Sequence, residues 1–267
     1  MGNKRARDRQ LAKLAARRLA ERRARERRRN RILGAVAAVG VLTVGAGAFV
    51  TFTGGDAPKA EPTPTASSPA AEPLCSEKVP KTAGEKKPTF DTAPQMTIDP
   101  TATYTATMET SCGTVTMELY PDVAPIGVNS FVFLARKGFY DGLTFHRIVA
   151  DFVIQGGDPV GDGSGGPGYE FDNEIDKKVT FDDGGILAYA NSGPDTNGSQ
   201  FFITLGPAPN LDPTKTASYT IFGKVTKGMD IVQRIGALPT TAPAGSTEAS
   251  VPTQPLYIDS ITIHGPA

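Results

Sequence analysis

The sequence predicts a mainly β domain, an antiparallel barrel closed on itself and capped by two helices, set behind an apolar span and a disordered linker. Three observations lead there. From Thr101 onward, short β-forming runs with period-two alternation recur between connections rich in Gly, Pro, Asn and Asp, the pattern of a sheet with many turns. Only two stretches of that region place apolar residues at helical spacing, and many short strands with two helices fit a barrel, whose closure removes exposed strand edges. Before Thr101 the composition changes twice, from strongly basic to uncharged and then to Pro, Ala, Thr and Ser.

Charge is balanced only in sum, 28 Lys and Arg against 28 Asp and Glu. Residues 1–31 hold fourteen basic and three acidic side chains, which leaves fourteen basic and twenty-five acidic for the rest. The uncharged run 32–53 follows directly. As a helix rising about 1.5 Å per residue it would reach about 33 Å, enough for a hydrocarbon core of about 30 Å. With the basic residues on its N-terminal side, the positive-inside rule puts segment 1–31 in the cytoplasm and the rest outside, the chain crossing the cell membrane once. A cleaved signal peptide is the rival, since Ala46-Gly47-Ala48 resembles a cleavage site. The basic region and the apolar run are both long for a signal, which favours a retained anchor. Runs such as Arg27-Arg28-Arg29 have the charge for nucleic acid but no interleaved aromatic to stack a base, so a topology signal at the lipid surface is the better reading and no nucleic acid is expected.

Residues 54–100 read as a linker, too poor in apolar residues up to Pro73 to fold, with an irregular extension from Leu74. The domain is expected over 101–267. Tyr104–Thr110 and Thr114–Tyr120 form a hairpin about Ser111-Cys112-Gly113. Val128, Phe131, Val132, Leu134 and Ala135 recur at helical spacing, with Gly138 where a C-terminal cap falls. Further strands are expected at Thr144 to Val149, Phe152 to Gln155, Ile186 to Asn191, Gln200 to Thr204, Tyr219 to Val225 and Tyr257 to His264. A brief helix fills Asp230 to Ile235 and ends at Gly236, and Leu238 to Pro255 reads as a mobile insertion.

The stretch from Phe145 to Gln155 carries the chemistry. Alternation sends His146 and Arg147 to opposite faces, and Phe152, Val153 and Gln155 follow closely, which suggests a shallow apolar pocket with a hydrogen-bond donor at its edge. By itself Arg147 reads as one half of a surface ion pair. His146 has no nucleophile in recognisable context and reads as structural, and His264 has no assigned role. Gly161 to Gly166 formally satisfies the dinucleotide pattern GxGxxG, but Pro167-Gly168 follows and no helix opens there, so it is a loop. Cys75 and Cys112 are available to pair in an oxidising compartment; with two distant histidines they make no metal site, and no cofactor is expected.

Phe145-His146-Arg147-Ile148 followed by Asp151-Phe152-Val153-Ile154-Gln155-Gly156-Gly157-Asp158-Pro159 resembles the signature of the cyclophilin family of peptidyl-prolyl isomerases. Gly185 to Pro194 with Thr196 to Thr204, and then Phe222-Gly223-Lys224-Val225, are similar to that family's later segments in the same order. The resemblance, to a bacterial membrane-anchored form, implies a monomeric eight-stranded barrel with a groove on its outer face that binds proline-containing polypeptides. It implies Arg147 as the catalytic residue and Phe152, Val153, Phe202 and Leu211 as the proline pocket. Gln155 and Gln200 would supply polar contacts, and the backbone at Ala190 and Asn191 would hold the peptide. Two positions depart from the family's best-studied eukaryotic members: Asn210 stands where they have a tryptophan, and their pocket histidine has no counterpart, with Tyr219 or a neighbour the nearest candidate. The expected function is cis-trans isomerisation of X-Pro bonds in extracytoplasmic proteins; the alternative is a membrane-tethered proline-binding module or chaperone without significant turnover.

Overall fold

The computed structural model describes residues 75–212 and 218–266, so the basic segment, the apolar run and the linker up to Leu74 lie outside the described residues. Among the described residues no helix is long and apolar enough to cross a membrane. In chain order the elements are β1 (Tyr104–Thr110), β2 (Gly113–Leu119), α1 (Pro125–Arg136), β3 (Arg147–Val149), β4 (Val153–Gly156), β5 (Ile186–Tyr189), β6 (Phe201–Thr204), a 3-10 turn (Pro209–Leu211), β7 (Ile221–Lys227), α2 (Met229–Gly236), β8 (Thr240–Thr241), β9 (Val251–Pro252) and β10 (Ile258–His264).

Eight strands form one antiparallel sheet in the order β10-β1-β2-β7-β5-β6-β4-β3. The expected closed barrel is corrected here to a curved, open sheet, because no ladder joins β3 to β10. The segment before β10 contains Pro252 and Pro255, which have no N–H to give a ladder. What crosses the seam instead is a set of single backbone bonds: Gly142 N–H to Ile258 O at 2.7 Å, Phe145 N–H to Leu256 O at 3.0 Å and Ile148 N–H to Ser250 O at 2.8 Å. For the same reason the strand expected from Thr144 is shortened to β3, with Thr144 in an isolated bridge to Tyr257.

Alternation along the strands sorts side chains onto two faces. Ile148, Ile154, Ile203 and Leu187 stand opposite one another across β3, β4, β6 and β5, and all four are buried in the main core with Phe131 and Phe222. The opposite face of the same strands carries a second, smaller apolar cluster centred on Val153, Phe202 and Ala188. Helix α1 supplies Val128, Phe131, Val132, Leu134 and Ala135 to the main core. It starts three residues before the expected Val128, at Pro125, whose fixed φ and missing N–H suit a first helical position. It ends as expected near Gly138, at φ +64, where Gly138 N–H reaches Ala135 O at 2.9 Å and Phe139 N–H reaches Leu134 O at 3.0 Å. Helix α2 ends at Gly236 as expected; a Cβ there would come within 2.5 Å of Leu205, so close packing also calls for glycine at this position.

The start of α1 has no cap on its own side chains. Glu174 provides it from a distant loop, accepting Ile126 N–H at 3.0 Å and Gly127 N–H at 2.8 Å. Burial nevertheless pushes the Glu174 carboxyl above its ordinary value of 4.5, against the lowering effect of those two donors. A carboxyl whose pKa is raised on folding favours the folded state below its ordinary pKa, and that contribution is lost as pH rises through the raised value. Urea midpoints should therefore fall with rising pH just above 4.5, and Glu174→Gln should flatten that slope; an unchanged slope would assign the proton uptake elsewhere.

From Cys75 to Pro100 the chain has neither helix nor strand, yet it is fastened to the domain. A disulfide joins Cys75 to Cys112 in the β1–β2 turn. Lys87 Nζ donates to Asp141 O, Phe90 N–H to Pro167 O at 2.8 Å, and Thr97 N–H to Asn129 Oδ1 at 2.9 Å. Phe90 also packs edge-on against Phe133 of α1, with ring centroids 4.9 Å apart. Leu238 to Pro255, read as a mobile insertion, holds the β8–β9 ladder and the buried Ser250. Backbone hydrogen bonds order it, which its Pro/Ala/Thr/Ser composition does not reveal.

Candidate active site

Residues directly opposite in an antiparallel ladder point to one side of the sheet. Arg147 stands opposite Gln155, Gln155 opposite Phe202, Phe202 opposite Ala188, and Ala188 opposite Ile221. This single row runs across β3, β4, β6, β5 and β7, and it lies on the face turned away from the main core. Register thus puts a guanidinium and an amide at one end of an apolar strip. The next row on the same face adds Val149 opposite Val153.

The strip is walled on both sides. Phe202 is 5% exposed, stacked on Phe181 at 5.9 Å and edge-on to Tyr219 at 5.5 Å. Phe152, Ala190, Leu211 and Tyr219 pack half-buried against the same cluster. Phe152 gets there through a tight turn in which Asp151 takes φ +60, a conformation aspartate tolerates, and Phe152 N–H bonds Val149 O at 3.1 Å. Leu211 is carried by the 3-10 turn, which is tied to the Phe181 loop by Ala208 N–H to Phe181 O at 2.7 Å and Phe181 N–H to Asp212 Oδ1 at 3.0 Å. Phe181 is a wall residue that sequence reading missed; its signal is a lone aromatic inside the polar stretch 176–185.

Polar groups edge the strip in a chain. Gln155 Nε2 donates to Gln200 Oε1 at 3.0 Å, and Gln200 Nε2 donates to Gly163 O at 3.0 Å and Gly165 O at 2.9 Å. The glycine loop therefore serves as a support for Gln200, itself wound about Asp158, which accepts Val160 N–H at 2.8 Å and Asp162 N–H at 3.1 Å. Ala190 N–H bonds Gln200 O at 3.0 Å, and Asn191 Nδ2 bonds Ser218 O at 3.0 Å, which leaves this edge well ordered. Both ring nitrogens of His146 are buried without a hydrogen-bond partner among the described residues, and burial lowers its pKa, so the ring stays neutral at neutral pH.

Arg147 is one-third exposed, and its Nη2 donates to Glu248 Oε1 at 2.9 Å. Glu248 comes from the 238–255 segment and no pattern in the sequence marks it. The structure thus brings Arg147, Phe152, Val153, Gln155, Ala190, Gln200, Phe202, Leu211 and Tyr219 to one face, with Asn191 at its end. Among the described residues no group of three or more His, Cys, Asp or Glu side chains is arranged to hold a metal ion. A permanent cation beside an apolar notch can grip a small ring and donate hydrogen bonds without exchanging a proton.

Comparison with known proteins agrees with that arrangement. The family model described as cyclophilin type peptidyl-prolyl cis-trans isomerase/CLD matches residues 105–263. Peptidyl-prolyl cis-trans isomerase CYP18-2 of Arabidopsis thaliana is 49% identical over 137 residues, covering 50% of this chain and 81% of that protein. Peptidyl-prolyl cis-trans isomerase-like 1 of Homo sapiens is 49% identical over 138 residues, 51% of this chain and 81% of that protein. Among solved structures, a cyclophilin type isomerase of Cryptosporidium parvum crystallised in the presence of the dipeptide Ala-Pro is similar with a TM-score of 0.54 and 34% identity, over 60% of this chain and 98% of that one. With the family model spanning more than half of its length, the chain belongs to the cyclophilin-type peptidyl-prolyl cis-trans isomerases, enzymes that turn X-Pro bonds between cis and trans.

Proposed function

We propose that the outer-face strip is where the prolyl ring binds and that Arg147 is the catalytic residue. The row Arg147–Gln155–Phe202–Ala188 carries this reading, because it sets a fixed donor at the rim of the apolar notch. Rotation about a peptide bond breaks amide resonance and meets a barrier of about 18–20 kcal/mol. No bond is made or cut, so the enzyme has only to bind the twisted amide better than either planar form. In the twisted state the prolyl nitrogen becomes pyramidal and regains its lone pair. A guanidinium N–H aimed at that lone pair stabilises the twisted form selectively, and arginine does so without changing its charge. Phe152, Val153, Phe202 and Leu211 would hold the ring, with Tyr219 and Phe181 keeping water from Phe202. Gln155, Gln200 and the backbone at Ala190 and Asn191 would hold the flanking peptide so that only one side of the bond turns. A protease-coupled cis-trans assay on the full chain should show acceleration on a proline peptide; binding without acceleration would favour the proline-binding module instead.

The same proposal places the domain outside the cytoplasm, in a membrane-anchored enzyme of bacterial type acting on secreted or envelope polypeptides. The run 32–53 and the basic residues before it support an anchor with its N-terminus inside. The Cys75–Cys112 disulfide suits an oxidising compartment. Alkaline phosphatase fused after Ala267 should be active, and fused after Arg31 inactive; the reverse pattern would reject this topology.

A further inference from the structure

We infer that Glu248 is a positioning residue for Arg147, an element of the site contributed by the 238–255 segment. The inference rests on the reading of Arg147 as the rotation-promoting donor. The pair itself is exposed, one-third at Arg147 and about half at Glu248, and an ion pair in that setting adds little to stability. Its geometry is nonetheless well fixed. Ser250, two residues on, is 6% exposed, accepts Ile148 N–H at 2.8 Å and donates its own N–H to Thr241 O at 3.0 Å. Glu248 N–H bonds Ser246 Oγ at 3.0 Å. The loop carrying the carboxylate is therefore bonded to the residue next to Arg147, so acceptor and guanidinium share one frame. An arginine side chain free at four torsions visits many directions; an acceptor on Nη2 that is itself held in place restricts them and leaves the other N–H donors free for a substrate. Preorganised donors lower the barrier because no reorientation is needed as the amide twists.

The test is a set of variants of the full chain assayed on one proline peptide. Glu248→Ala should lower kcat about tenfold, the size expected when one long side chain regains its freedom, with KM changed less than about twofold and the same melting temperature. Glu248→Gln, whose amide oxygen accepts the same N–H, should recover most of that loss, so the acceptor rather than the charge is what matters. In an Arg147→Ala background, Glu248→Ala should have no further effect, as a double-mutant cycle requires of residues acting through one another. Unchanged or raised kcat in Glu248→Ala, or an equal loss in both backgrounds, would overturn the inference. A silent Arg147→Ala would instead overturn the role of Arg147 on which it rests, so the two failures are told apart.

Discussion

Arg147→Ala should fold as the parent does and lose about two to three orders of magnitude in kcat/KM, the effect of removing one preorganised donor worth about 3–4 kcal/mol. Stability should barely move. Arg147 is an end residue of β3 with a partly exposed side chain, and its ion pair with Glu248 is of the kind that contributes about 0–1 kcal/mol. The apolar notch survives the change, since Val153 and Phe202 are buried in one cluster with Phe181, Ala188 and Ile221. Arg147→Lys should stay nearer to the alanine variant than to the parent, because an ammonium keeps the charge but loses the planar fork. Turnover in Arg147→Ala within a few-fold of the parent, with matching melting curves, would remove this residue from catalysis.

The second large effect is on stability. Replacing both Cys75 and Cys112 by serine should lower the unfolding free energy by about 3–4 kcal/mol, from the loop-closure entropy of a cross-link spanning 37 residues. The bridge fastens the N-terminal end of the 75–100 strap to the β1–β2 turn, and Cys112 is packed in the main core. Farther along, the strap has separate fastenings at Lys87, Phe90 and Thr97, so it should loosen from its start without leaving α1. Urea unfolding of the parent and the double serine variant checks this: a lower midpoint is expected, and activity at low temperature should persist because the bridge touches none of the strip. A midpoint shift equivalent to less than about 0.5 kcal/mol would show that the strap holds without it.

What could be read beforehand depends on which force fixes each part. Alternation of buried and exposed side chains is a local signal, so β1 and β2 follow from the residues themselves, whereas the row that carries Arg147, Gln155 and Phe202 depends on the register between strands, two of which, β4 and β6, are almost wholly buried and do not alternate. The helix positions follow from apolar spacing, but α1 begins earlier because its cap, Glu174, lies 48 residues away from Ile126. The open seam was not legible: two prolines decide it, and their effect shows only once β10 is placed beside the Gly142–Val149 segment. Glu248 was not legible either. Its segment has the composition of a linker, and its order comes from backbone bonds at Ser250 and Thr241 that no side-chain pattern encodes. The pocket residues of the strip come from the family resemblance, and Phe181, outside the quoted motifs, escaped it.

Two-dimensional exchange NMR on an Ala-Pro peptide separates holding the peptide from turning it, and so tests the central claim most directly. With parent and Arg147→Ala compared at equal fractional occupancy, the account predicts cis-trans exchange on the enzyme at least about a hundredfold slower in the variant, with peptide affinity within a few-fold. Equal exchange rates at equal occupancy would contradict it, because rotation would then owe nothing to the guanidinium beside the strip.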